Sequence, residues 1–392
     1  MEERNSTFDA DERKTGRRSI LKAGAAGLAT LATGSTLAAA NRSDKASDVH
    51  VVKGTMNNPV SDKQRKQLRK RAVREYERNT GETMDGIPTV EPRAAHGPGD
   101  SPEDGPSSES SIVAYAYGID ADGVARGYIG MAGEDPAAET NGRAKGLIHN
   151  RFEDRVREVS AALEASDDDL STQAEYGTID NLDELEVAYE FPLDHAVDPH
   201  GVISSTNYWI QDTVNSDEST MHGFHSETTI EPGVRSFSSN WQNESVTSKH
   251  LWNQSDMAEF EVDDGYWKPA GPSDGGSSTT SMSITASFSL TDIGVSTTMG
   301  WSHTDPAMER TDLSSTYNDK CGWYWDVNDK CGESVRQSTL SMHPSSMCEQ
   351  TDYDCAMGRR DICKLELKST FTDGSCGDNY WLKSSGMAHK EC

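Results

Sequence analysis

Between Ser281 and Leu290 the chain alternates without a break: Met282, Ile284, Ala286, Phe288 and Leu290 are apolar, and Ser281, Ser283, Thr285, Ser287 and Ser289 are small and polar. Period two is the repeat of a strand, whose successive side chains point to opposite faces, and a helix cannot use it. After Thr291-Asp292 the phase shifts. Ile293, Val295, Met299 and Trp301 then hold the apolar places, with Gly294, Ser296, Thr298 and Ser302 between them. A two-residue loop restores one common face by pairing Leu290 with Ile293, Phe288 with Val295, Ile284 with Met299 and Met282 with Trp301. A four-residue loop over residues 291–294 keeps the faces as well. The register stays open, but the segment is an amphipathic hairpin whose apolar face is Met282, Ile284, Phe288, Leu290, Val295, Met299 and Trp301.

The commonest use of such a face is to cover the core of a β-sandwich while the Ser/Thr face meets solvent. Strands of about ten residues are also long enough to cross a bilayer when tilted. In this respect residues 281–302 resemble the membrane-inserting hairpins of β-pore-forming toxins. That resemblance implies an oligomeric barrel, because every backbone group in lipid has to be paired.

An address precedes the fold. Arg17-Arg18 stands before Ser19-Ile20-Leu21-Lys22 and a mildly apolar run of Ala, Gly, Leu and Thr, and Ala38-Ala39-Ala40 offers the small residues that a signal peptidase accepts. The pattern reads as a twin-arginine signal cleaved near Ala40, with the translocase and the peptidase as partners and an extracellular destination. Formal charge is -28, from 65 acidic and 37 basic residues. Such a charge loosens a compact state in dilute buffer, but at molar salt the screening length falls to about 3 Å and the repulsion largely disappears. Acidic composition and export signal together resemble secreted proteins of salt-loving archaea. The same charge argues against nucleic acid as a partner.

Five parts follow along the chain: a signal peptide (1–40), a basic helix and disordered linker (41–111), a small α/β domain (112–195), a β-rich domain holding the hairpin (196–316) and a cysteine-rich tail (317–392). In the second part Ser61 caps a predicted helix to about Asn79 that carries Lys63, Arg65, Lys66, Arg69, Lys70, Arg71, Arg74 and Arg78. A basic helix in an acidic protein is expected to dock on the body or stay solvated. In the third part, strands 112–119 and 124–131 flank Asp120-Ala121-Asp122-Gly123, and a helix from about Arg143 to Ala165 and a strand from Leu185 to Leu193 complete a β-β-α-β unit. The expected class is α+β, mainly β: this unit, then a β-sandwich-like domain, then a disulfide-rich tail.

All seven cysteines, Cys321, Cys331, Cys348, Cys355, Cys363, Cys376 and Cys392, fall in the tail. Outside the cell that density reads as a disulfide framework with one thiol left over, and Cys392, at the mobile end, suits a free thiol or a disulfide-linked dimer. No Cys-x-x-Cys spacing argues for zinc or redox chemistry. Asn41, Asn243 and Asn253 open glycosylation triplets. Asn318-Asp319-Lys320-Cys321-Gly322 recurs as Asn328-Asp329-Lys330-Cys331-Gly332, enclosing Trp323 and Trp325, of which one is expected buried and one exposed as a platform for sugar or lipid.

Catalytic motifs are sparse. His222-Gly223-Phe224-His225 and the pair His195, His200 could ligate a metal, but no His-Glu-x-x-His helix, nucleophile elbow, phosphate loop or dinucleotide fingerprint occurs, so no catalytic, metal or cofactor residue is assigned. The expectation is a secreted non-enzymatic effector, antimicrobial or β-pore-forming, acting on lipid as a homo-oligomer. Its layout of export signal, acidic middle and cysteine-rich end is similar to that of halocin precursors. Glycan-binding adhesion module and extracellular hydrolase are the alternatives; in the hydrolase, a dispersed triad would be recognised only by geometry.

Overall fold

The computed structural model describes residues 47–84, 86–103, 106–135, 142–164, 185–212, 220–252, 279–290, 293–304, 309–315, 320–327, 335–350 and 358–391; the strands 279–290 and 293–304 are described by their pairing. The expected export signal with Arg17 and Arg18, the triplets at Asn41 and Asn253, and Cys331, Cys355 and Cys392 lie outside them.

The architecture is α+β and mainly β. The first sheet runs β1 (His50–Lys53), β4 (Ser111–Ile119), β5 (Ala125–Glu134), β6 (Leu185–Asp198), β7 (Gly201–Asp212) and β8 (Thr220–Pro232). Both β14 (Leu340–Met342) and β15 (Ser345–Gln350) pair with β8. The second runs β12 (Glu309–Asp312), β13 (Lys320–Asp326), β9 (Gln242–Leu251), β16 (Arg359–Thr372), β17 (Asn379–Glu391), β2 (Ile87–Pro98) and β3 (Ser108–Glu109). A third sheet holds only β10 (Thr279–Leu290) and β11 (Ile293–Thr304).

All pairings are antiparallel except β5 with β6. A parallel neighbour needs a crossover, and helix α2 (Arg143–Glu164) supplies it, giving the β-β-α-β order. Ile148, Phe152, Val156, Val159 and Leu163 of α2 are buried against Val113, Ala116, Tyr128 and Ala132 on the outer face of the first sheet. The inner faces of the two large sheets meet in one core, with Tyr115, Tyr117, Ile129, Tyr189, Phe191, Trp209 and Phe224 on one side and Val90, Val246, Trp323, Trp325, Leu367, Phe371 and Leu382 on the other. The result is helix, sheet and sheet in three layers.

Three expectations change. Residues 41–111 are no free linker where they are described: β1 lies at the edge of the first sheet, and β2 pairs along its whole length with β17 in the second. Only the turn between Pro98 and Ser108 keeps the linker character, opening on Gly99 with φ of 88°. The tail is not a loop-rich appendage either, because β16 and β17 pair from Arg359–Glu391 to Thr372–Asn379 and sit between β9 and β2. Strands from before residue 112 and after residue 316 therefore interleave with those between in the two large sheets.

The third change concerns the cysteines. Cys321, Cys348 and Cys363 are buried thiols. They come from β13, β15 and β16, where the strand alternation turns them inward as small hydrophobes. Burial pushes the thiols of Cys321 and Cys363 well up. Cys376, exposed in the β16–β17 turn, is bridged rather than free, so the expected disulfides hold there.

Candidate functional site

The β10–β11 ribbon is the element that the two sheets do not absorb. Its register is the two-residue one: Leu290 pairs with Ile293, Phe288 with Val295, Ile284 with Met299 and Met282 with Trp301. Ser289 faces Gly294, Ser287 faces Ser296, Thr285 faces Thr298 and Ser283 faces Gly300. Apolar positions of both strands thus share one face of the ribbon and small polar positions share the other. Among the described residues neither strand pairs with a third.

Helix α1 (Asp62–Thr80) shows how the body is braced. Ser61 caps it with a full capping box: its N–H donates to Gln64 Oε1 at 2.9 Å, and its Oγ accepts from the Gln64 N–H. Gly81, in the left-handed region at φ 80°, ends it. The helix docks rather than standing in solvent. Leu68, Ala72 and Tyr76 are buried, and Arg69, 3% exposed, donates to Tyr115 Oη at 3.3 Å on the first sheet and to Glu391 Oε1 at 2.5 Å on the second. One guanidinium therefore ties both sheets, and the carboxylate and phenol hold it charged.

Histidines fill the space between the sheets. His195 Nε2 lies 2.7 Å from Ser110 Oγ and its Nδ1 lies 3.1 Å from Ser384 Oγ. His96 Nδ1 lies 2.8 Å from Tyr380 Oη, and His200 stacks on the Tyr380 ring at 3.4 Å with Nε2 on Asp135 at 3.0 Å. His250 Nδ1 lies 2.7 Å from Ser346 Oγ. Desolvation by burial pulls His195 down to about 3, His250 to about 3 and His96 to about 4. Ser110 and His195 are at the distance of a nucleophile and its base, but the ring is completely buried and oriented by a hydroxyl rather than a carboxylate. A group that resists protonation to pH 3 is a poor proton acceptor at neutral pH. These histidines act as neutral struts.

The outer face of the first sheet carries the other polar cluster. Successive strands put Arg126, Glu190, Tyr208 and His225 in one row, each opposite the next. In the adjoining row Thr206 lies opposite Glu227. Arg126 pairs with Glu190 and Asp120. On the far side, the β14–β15 strand places Ser345 opposite His225, and the same register carries His343 opposite Glu227. His225, Glu227 and His343 offer ligand atoms that all lie within 4.8 Å of one another.

The sequence pairings of histidine do not survive. His222 faces inward and accepts from Trp209 Nε1 at 3.2 Å, whereas His225, three residues along a strand, faces outward. His195 and His200 answer to separate partners. Trp323 and Trp325 are both 1% exposed, because β13 runs without a bulge and residues two apart share its inner face. No aromatic platform for sugar is left there. Asn243 is 0% exposed and donates Nδ2 to Ser338 O at 2.7 Å, so it is no glycan acceptor in the folded chain. The cluster of His225, Glu227 and His343 escaped sequence reasoning; its only local signal is the i, i+2 spacing of His225 and Glu227, and its third member is over 100 residues away.

No protein-family model matches the sequence, and no curated protein matches it. Among the solved structures that match is the Clostridium perfringens NetB toxin in its membrane-inserted form, with a TM-score of 0.17 and 5% identity, covering 48% of this chain and 86% of that one. A likeness of that size establishes neither a shared fold nor a shared activity.

Proposed function

We propose that the protein is an exported, non-enzymatic effector that permeabilises lipid bilayers, with β10–β11 from several copies closing into a transmembrane barrel. The observation that carries this reading is the ribbon itself: two strands of twelve residues in fixed register, one face mostly apolar, broken only by Thr297 and the end pair Thr280–His303, and the other Ser/Thr/Gly, outside both large sheets. Twelve residues extend over about 40 Å, more than a tilted strand of roughly nine to eleven needs to cross the hydrocarbon. A lone ribbon in lipid leaves two unpaired edges, so crossing requires neighbours from other copies. In such a barrel Met282, Phe288, Val295 and Trp301 would meet lipid, and Ser283, Ser287, Ser296 and Thr298 would line water. The acidic body, comfortable in concentrated salt, stays outside, and the twin-arginine segment accounts for delivery there already folded. An antimicrobial role against neighbouring cells, as in a halocin, follows from the same activity.

The test is dye release from lipid vesicles in molar salt by the mature protein, with Phe288→Asp and Ser287→Asp beside the wild type. A charge on the lipid face near the midplane costs about 2–4 kcal/mol per copy, less for an acid than for a base, whereas the lumen tolerates it. Release should be abolished by Phe288→Asp and kept by Ser287→Asp. A wild type that releases nothing, or a Phe288→Asp protein that releases as much as the wild type, would refute the reading.

A further inference from the structure

We infer that His225, Glu227 and His343 form a binding site for one divalent transition-metal ion of the zinc class, clamping the edge strand β14–β15 to the outer face of β8. This does not depend on the membrane reading.

The geometry follows from strand pairing. His225 and Glu227, two residues apart, rise from the same face of β8, and His343 lies across the ladder beside Glu227 and diagonal to His225. Diagonal neighbours of this kind are within reach of long side chains. Pro344 sits between His343 and Ser345, and its carbonyl accepts from Ser226 N–H at 2.9 Å, so the strand stays attached although the proline has no donor of its own. The two imidazoles lie nearly parallel, with centroids 6.1 Å apart and planes at 19°. Ser345 Oγ lies 2.6 Å from His225 Nδ1, which fixes the buried ring and assigns coordination to Nε2.

A second, independent observation concerns Glu227. Among the described residues its carboxylate accepts no hydrogen bond and joins no ion pair, although the residue is only partly exposed. Arg155 on α2 is paired with Glu158 at 2.7 Å, and Arg126 is taken up by Glu190 and Asp120. A partly buried carboxylate without a partner is costly, and a cation held by the two imidazoles would supply one.

Donor chemistry selects the ion. Two imidazoles and one carboxylate suit zinc, which is tetrahedral with nitrogen and oxygen ligands and here keeps one position for water. Calcium and magnesium prefer all-oxygen sets.

The experiment uses the mature protein stripped with chelator, titrated with Zn²⁺ against a chromophoric competitor. One zinc per chain is expected, with Ca²⁺ and Mg²⁺ failing to displace it. His343→Ala and Glu227→Gln, both at partly exposed positions, should each weaken binding by at least about 100-fold, and Ser345→Ala, acting through His225, by roughly 10- to 100-fold. Cys363→Ser should leave it unchanged, which separates this site from the buried thiols. Near-ultraviolet dichroism confirms that each variant is folded. Should His343→Ala or Glu227→Gln, folded, bind zinc as tightly as the wild type, or should the wild type hold none against the competitor, the site is overturned. Tetrahedral Co²⁺ absorption in the wild type that persists in His343→Ala refutes it equally.

Discussion

Acidification from pH 7 to pH 5 should remove about 6 kcal/mol of folding stability through three side chains. His96, His195 and His250 are buried and have pKa values pulled to about 4, 3 and 3. In the unfolded chain each titrates near 6.5. At pH 5 the unfolded chain has taken up a proton on each, whereas the folded chain has taken up almost none. Because the unfolded state binds more protons, stability rises with pH in this window and falls as pH drops below about 6.5. The loss at pH 5 is about 2 kcal/mol per histidine, since 1.5 pH units at about 1.4 kcal/mol each separate that pH from the unfolded value. Three such losses rival the whole stability of an ordinary domain, about 5–15 kcal/mol. Carboxyls act on both sides. Burial raises Asp120, Glu190 and Glu227, which oppose the loss, while Lys66, Arg359 and Lys364 lower Asp62, Glu91 and Glu366, which add to it. A difference experiment isolates the histidines.

Urea unfolding at pH 7, 6 and 5 should be compared between the wild type and His250→Gln, in low salt and in molar salt. The variant's loss should be smaller by about 2 kcal/mol. In all three histidines desolvation is the largest cause, so the slope should persist in molar salt, where charge–charge effects are screened. Equal losses in the two proteins would show that His250 takes up its proton in the folded state, and a slope erased by salt would show that charges rather than burial set it. Either result refutes the reasoning.

Arg69→Ala removes the cation from a nearly buried pair and leaves Glu391 beside Tyr115 without it, so urea unfolding should show a loss of about 3 kcal/mol, the low end for breaking a buried ion pair. Trypsin should then cut first within α1, which is rich in lysine and arginine. Trp325→Ala should cost about 3–5 kcal/mol by the same assay, because the indole is buried between the sheets, and should not selectively remove any glycan affinity.

What the sequence made legible was local. Period two marked β10 and β11, and the phase shift after Leu290 anticipated the register that pairs Leu290 with Ile293. The Ser61–Gln64 box marked the start of α1, and the apolar spacing of Phe152, Val156, Val159 and Leu163 marked the buried face of α2. Long-range pairing left no such trace. Nothing near Glu91 says that its ladder partner is Met387, or near Glu227 that His343 lies across from it. Polar residues misled most, because the interior recruits them. Asn243, His195 and Ser384 look like surface residues in sequence, yet each is buried and hydrogen-bonded, a solution open only once both sheets exist. Cysteine misled in part: Cys376 is bridged, as its density suggested, but the alternation of β13, β15 and β16 turned Cys321, Cys348 and Cys363 into core.

The seat of β2 has a kinetic consequence. Its partner β17 lies about 300 residues later in the sequence, and Arg69 likewise waits for Glu391. At ribosomal speeds of about 5–20 residues per second the edge of β2 that takes β17 stays open for roughly 15 to 60 s. During that interval Ile87–Pro98 is an open strand seeking a neighbour, and the wrong neighbour is another nascent copy. The punctuation along it suits that exposure: Pro88, Pro92 and Pro98 each withhold a donor, and Glu91 and Arg93 carry charge. Such residues are those that disfavour pairing with another copy before β17 is made.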